Sequence, residues 1–293
     1  RPEDVLVSST GVIGQTLKVQ VIEEGMPALY EALEHSVEAS DAAAHAIMTT
    51  DTVKKEVAVE TVIGGKTVRM GGIAKGSGMI HPNMGTMLCF LTTDCAISPV
   101  MIRAALKEVV SKTFNRISVD GDTSTNDTVL LLASGASGIT PDPDEFNGLV
   151  ADCCSSLARQ IIGDGEGASH DIRIRVTGAT SEDAALACGR AVAASNLLKC
   201  AISGNDPNWG RVVSSLGTVP ADVAPYDPNE VSVTINGVRI CANGGPDRDR
   251  SEVDMTLREI DIDIDLNAGE SEACVWTDDL THEYVHINAD YES

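Results

Sequence analysis

Apolar and polar positions change period several times along this chain, and the changes mark out its elements. Residues 22–46 carry Ala28, Leu29, Leu33, Val37 and Ala42 at a spacing near 3.6, which predicts a helix. Residues 56–62 and 66–70 alternate around Gly64-Gly65 and predict a β-hairpin. The run Met87 to Thr92 has the length of a buried strand. Ser98-Pro99 supplies a cap and first turn for a helix over 98–113. Strands are predicted at Ile117 to Val119 and Thr128 to Ala133, and a helix at 145–163. Asp171 to Val176 alternates as a strand, and Ser181 with Asp183 opens a helix over 181–200. Strands follow at 231–241 and 257–265, the latter alternating Ile260, Ile262 and Ile264 with Asp. Val5 to Val7 reads as a further strand, and residues 204–230 and 242–254 read as loops. Strands and helices mixed without regular βαβ spacing predict an α+β or a layered mixed-sheet α/β fold rather than a doubly wound sheet. A lobe boundary is expected near 205–228, giving a main lobe over 1–204 and a second, C-terminal lobe over 205–293.

Composition narrows the function. The chain has 293 residues, 43% of them hydrophobic, enough for a large core, but only 3% aromatic. That core is therefore built from Ala, Val, Ile and Leu. A net charge of −23 disfavours nucleic acid and anionic membrane as partners, because phosphate contacts need clustered Lys and Arg. No stretch reaches the roughly 20 apolar residues of a membrane-spanning helix. The Arg1-Pro2 start, without Met, reads as a shortened or processed end rather than a signal peptide. Eight cysteines without a Cys-x-x-Cys pair read as scattered buried thiols, and six histidines show no metal spacing, so no metal is expected.

Three loops could carry chemistry. Ser8 to Gly14 follows an apolar run, and its glycines allow backbone amides to face an oxyanion, although a tight turn explains them equally. Ala74 to Thr86 holds Lys75 among small residues and ends in a hydroxyl before an apolar strand; a nucleophile and a capping threonine both fit. Asp120 to Asp127 clusters acids and hydroxyls but lacks the calcium-hand pattern, and a hydrogen-bonded turn accounts for it better. Asn205 to Arg211 reads as turn chemistry with one buried aromatic. No Gly-x-Ser-x-Gly elbow, dinucleotide fingerprint or phosphate loop occurs.

At these same residues the sequence resembles the ornithine acetyltransferase family, also called glutamate N-acetyltransferase, of arginine biosynthesis. The matching strings are STGVIG (9–14), AIMTTDT (46–52), AKGSGMIHPNMGTML (74–88), SVDGDTSTNDT (118–128), DGEGAS (164–169), DPNWGR (206–211) and YVHINADYES (284–293). They span the whole chain in family order, although the family is usually longer at its N-terminus. The resemblance implies a layered fold of the N-terminal-nucleophile type and a precursor that cuts itself between Gly85 and Thr86. The family more often has Ala at the place of Gly85, which keeps the small size. Thr86 would then be the nucleophile, with the Thr10 hydroxyl and Gly11 amide as oxyanion donors. Thr49, Lys75, Thr86, Glu166, Asn288 and Ser293 match the substrate-binding places, so the tail is expected to return to the site.

The implied reaction moves an acetyl group from N-acetylornithine to glutamate by a ping-pong route. No cofactor is implied; acetyl-CoA is a possible alternative donor substrate. The two fragments would associate as a heterodimer that forms a higher oligomer, in the cytoplasm or, in a eukaryote, an organelle matrix. The competing expectations are a related N-terminal-nucleophile aminopeptidase or amidase, with water replacing glutamate, and a binding protein without turnover.

Overall fold

A computed structural model describes residues 1–83 and 86–290. Two sheets organise it. The first has four strands in the order β1-β2-β3-β5, formed by β1 (Lys55–Ile63), β2 (Lys66–Lys75), β3 (Leu88–Thr93) and β5 (Thr128–Ala133). The second has seven strands in the order β4-β11-β6-β10-β7-β8-β9. These are β4 (Ile117–Ser118), β6 (Asp171–Ala179), β7 (Ser232–Ile235), β8 (Val238–Ala242), β9 (Gly245–Pro246), β10 (Glu259–Asp265) and β11 (Ser271–Asp278). Both sheets mix parallel and antiparallel pairs: β3 runs parallel to β5 but antiparallel to β2, and β6 runs parallel to β10 but antiparallel to β11. The layered mixed-sheet α/β fold expected from the sequence is the one observed.

Each sheet covers its apolar face with helices. α3 (Pro99–Lys112) and α4 (Pro143–Gly163) enclose the first core, which includes Met87, Cys89, Leu91, Val109, Phe114, Phe146 and Leu157. α5 (Glu182–Ala193), α6 (Asn196–Ser203) and α7 (Trp209–Leu216) cover the second core, which runs from Ile172 to Val275 and buries Ile260, Ile262 and Ile264 completely. Burying each such side chain stabilises the fold by about 1.5–3 kcal/mol. α4 starts on a capping box, Asp142 with Glu145. It lies against β1 and β2 and also touches β4 and β11, joining the two layers.

Several expectations need correction. The boundary at 204/205 cuts through the second core, because β6 and α5 belong to the same sheet and cluster as β7 to β11. The division between the cores falls instead in the segment 164–170, between α4 and β6. The helix expected over 22–46 is two, α1 (Val19–Glu31) and α2 (Val37–Ala46), because the Ser36 side chain caps the Ala39 amide and starts a new helix. Ser195 caps Leu198 in the same way and splits the helix expected over 181–200. The strand expected over 231–241 is a hairpin turning at Asn236 and Gly237, whose φ angles of 47° and 79° suit that pair. Val5 to Val7 is exposed and pairs with no strand. α7 occupies part of the expected loop 204–230, and β11 and α8 (His282–Asp290) lie where no element was expected. Of the cysteines, Cys200 is exposed rather than buried.

Among the described residues no single helix is long and apolar enough to cross a membrane. The bent pair α5–α6 reaches that composition only jointly, and most of its apolar residues, such as Cys188, Val192, Leu198 and Ile202, belong to the second core.

Candidate active site

The site lies at one end of the first sheet. Antiparallel pairing sets Lys75, at the end of β2, opposite Leu88 at the start of β3. Parallel pairing sets Leu88 opposite Thr128 at the start of β5. Thr86 and Asp127, just before those starts, therefore meet. The Thr86 and Met87 amides both donate to Asp127 Oδ1, the latter at 2.9 Å. Lys75 Nζ donates to the Thr86 carbonyl at 3.2 Å.

A cavity of about 280 Å³ opens over this point. Its walls include Thr10, Gly11, Thr49, Lys75, Thr86, Glu166 and Asn288, drawn from six separate stretches of sequence. Every site residue expected from the sequence lines this cavity except Gly85 and Ser293, which lie outside the described residues. Asp120, Asp122 and Tyr284 line it as well. One buried cation thus faces a wall rich in carboxylates.

Buried polar bonds fix the cavity walls. Lys55 is fully buried and bridges Asp51 Oδ1 at 2.7 Å and Asp164 Oδ2 at 2.6 Å. Asp51 also accepts the Gly76 amide at 2.6 Å and the Thr49 amide at 3.1 Å. It thereby ties the Thr49 turn to the backbone just after Lys75. Burial acts to raise the Asp51 pKa, but the Gly76 amide and Lys55 outweigh it and hold the carboxyl below its usual range. Thr50 and Ser77 share a hydroxyl hydrogen bond of 2.7 Å, and the Glu166 amide donates to the Ser77 carbonyl at 2.9 Å. Gly78 leaves the space into which the Glu166 carboxylate reaches.

The chain's tail closes the far side. α8 places Asn288 Nδ2 2.7 Å from Glu166 Oε2 and Tyr284 OH 3.2 Å from Asp120 Oδ2. Thr281 Oγ1 donates to the Gly167 carbonyl at 2.7 Å. Gly167, at φ 70°, sits where a Cβ would come within 2.5 Å of the Tyr284 amide, so glycine is required for the helix to approach.

Burial shifts the ionisable groups here. It lowers the Lys75 pKa, against the attraction of Asp51, Glu166 and Asp127. It raises Asp127 and Asp120 in spite of the amides they accept. It also raises the Tyr284 phenol, with Asp120 adding to the shift.

Asp127, Asp120 and Tyr284 are the site residues that the sequence reading did not single out. The loop 120–127, read as a structural turn, is both: Asp120 accepts the Met79 and Ile80 amides while facing the cavity. Asn205 to Arg211 is a helix start, with Asn208 capping α7 and Trp209 half-buried. Among the described residues no cluster of three or more His, Cys, Asp or Glu side chains is placed to hold a metal ion.

A threonine, a buried lysine and a wall of hydroxyls and carboxylates thus share one small cavity. The match to known proteins gives the family: the ArgJ family model covers residues 1–293, and the chain belongs to that family. It is 68% identical over its full length to the arginine biosynthesis bifunctional protein ArgJ of Bifidobacterium longum, covering 74% of that protein. It is 44% identical to the glutamate N-acetyltransferase of Methanocaldococcus jannaschii, over 99% of this chain and 75% of that one. The crystal structure of the arginine biosynthesis bifunctional protein ArgJ of Bacillus halodurans superposes with a TM-score of 0.65 at 34% identity, covering 69% of this chain and 98% of that chain.

Proposed function

We propose that this chain is an acetyltransferase of arginine biosynthesis that passes an acetyl group from N-acetylornithine to glutamate through an ester on Thr86. The observation that carries the reading is the convergence of Thr10, Gly11, Lys75, Thr86 and Glu166 on one small cavity in a member of the ArgJ family. The names of the Bifidobacterium and Methanocaldococcus relatives supply the reaction class.

Activation starts with cleavage of the Gly85–Thr86 bond. Thr86 Oγ attacks the Gly85 carbonyl, the amide nitrogen leaves, and water then hydrolyses the resulting ester. The freed α-amine has an ordinary pKa of about 7.7–8.0, so a useful fraction is neutral near pH 7 and can take the Thr86 hydroxyl proton. Oγ attacks the acetyl carbonyl of N-acetylornithine, and ornithine departs with that proton. The glutamate α-amine then attacks the acetyl ester. The Thr10 hydroxyl and Gly11 amide stabilise the oxyanion in both half-reactions; losing one such donor typically costs about 3 kcal/mol. Lys75 suits a substrate carboxylate, and Glu166 the side-chain ammonium of ornithine. No cofactor takes part, and the two fragments stay associated.

Incubating purified protein with N-acetylornithine and glutamate tests the reading. Acetylglutamate and ornithine should appear in equal amounts. Free acetate without acetylglutamate would instead identify a hydrolase.

A further inference from the structure

Asp127 joins two features, a pair of accepted amides and an oxygen left over. Its Oδ1 accepts the amides of Thr86 and Met87, while its Oδ2 is buried with no partner among the described residues. A buried carboxylate oxygen left unpaired is costly and needs an explanation. The cleavage proposed above offers one. An amide nitrogen at Thr86 has a single N–H, already committed to Oδ1. The same nitrogen as a free α-amine has one or two more N–H groups, released beside an oxygen that lacks a donor.

We infer that Asp127 is the positioning residue of the Thr86 α-amine, the third member of a relay that runs from Thr86 Oγ through the Thr86 nitrogen to the Asp127 carboxylate. The inference rests on the reading of Thr86 as an N-terminal nucleophile. Hydrogen bonds to Oδ1 and Oδ2 hold two N–H groups of the amine. Its lone pair is then directed away from the carboxylate, toward its own hydroxyl. In acyl transfer the hydroxyl proton moves to that lone pair, the Oγ–acetyl bond forms, and the resulting ammonium is stabilised by the adjacent carboxylate. The ammonium then gives the proton to the departing ornithine nitrogen as the old amide bond breaks. Asp127 itself keeps its protonation state and touches no substrate atom. Sheet pairing between β3 and β5 prearranges this relay, so cleavage completes it without rebuilding the backbone.

Asp127→Asn is the test, because it keeps the shape and the Oδ1 acceptor while removing the charge. Cleaved enzyme should lose roughly 10- to 100-fold in kcat, with KM changed far less. The acid limb of the kcat profile should move to lower pH, because the carboxylate favours the ammonium form and its removal lowers the amine pKa. The other titratable groups around this cavity are Lys75 on β2, Glu166 after α4, Asp120 and Asp122 between β4 and β5 and the Tyr284 phenol on α8, with Asp51 and Lys55 acting on Lys75 from behind; all are kept in the variant. A kcat within about twofold of wild type and an unmoved acid limb would overturn the inference.

If the variant fails to fold or stays uncut, the wild-type enzyme carries the test. The Asp127 carboxyl carbon and the Thr86 α-nitrogen should respond to the same pH step in NMR, and independent titrations would overturn the proposal. Failure of the underlying reading looks different: wild-type enzyme would then form no acetyl adduct on Thr86, whatever Asp127 does.

Discussion

Replacing Gly78 with alanine perturbs a single cavity wall without straining the backbone, since Gly78 does not adopt a positive φ. The new Cβ falls inside van der Waals contact with all three carboxyl atoms of Glu166. Ordinary contact begins at 3.4 Å, so the carboxylate must retreat by about 1 Å. It cannot do so freely, because Glu166 is held by the Ser77 carbonyl at its amide and by Asn288 at Oε2, 2.7 Å away. A 1 Å retreat breaks the Asn288 bond and moves the charge proposed above to meet the substrate ammonium. A hydrogen bond to a charged group is worth about 1.5–3 kcal/mol, which corresponds to roughly a 10- to 100-fold loss in kcat/KM for N-acetylornithine. Initial rates measured against N-acetylornithine concentration read this out, and most of the loss should fall on KM. The thermal midpoint should stay within a few degrees of wild type. An unchanged KM in a folded Gly78→Ala enzyme would refute the placement of Glu166 in the substrate site.

Other perturbations separate framework from chemistry. Lys55→Met leaves Asp51 and Asp164 buried without their cation and should destabilise by about 3–5 kcal/mol, seen as a melting midpoint lower by roughly 10 °C. Asp142→Ala removes the α4 capping box and should cost about 1 kcal/mol in denaturant titration with acetyl transfer unaffected. Burial pushes the Asp278 carboxyl up to about 7, against the pull of Lys199. The folded state therefore holds that proton more tightly than the unfolded chain, and its contribution to stability is lost as pH rises from about 4 through 7. Denaturation midpoints of wild type across that window should fall relative to those of Asp278→Asn, and parallel curves would contradict the assignment.

Much of the fold can be read from the sequence because its cues are local. The Gly64-Gly65 turn, the Ser98-Pro99 start and the Ile-Asp alternation of β10 each act over a few residues. The misreadings also have local causes that were open to reading. Ser36 and Ser195 are caps inside apolar periodicity, and Asn236-Gly237 is a hairpin turn inside an apparent strand. Val5 to Val7 shows the opposite limit: an apolar triplet becomes a strand only when a neighbour offers it an edge.

The site divides in the same way. Thr86, Lys75, Glu166 and Asn288 stand in distinctive strings, and the cavity collects them. Asp127 and Tyr284 stand in such strings too, but they act through partners 41 and 164 residues away, and no periodicity or spacing announces such pairs. Sheet register brings Asp127 to Thr86, and the return of α8 brings Tyr284 to Asp120. Both belong to tertiary structure.

Intact-mass spectrometry of the protein before and after exposure to N-acetylornithine tests the central claim most directly. The account predicts two fragments divided between Gly85 and Thr86. One acetyl group should appear on the fragment that begins with Thr86 and disappear when glutamate is added. An uncut chain that still transfers acetyl groups, or an adduct on any residue other than Thr86, would contradict it.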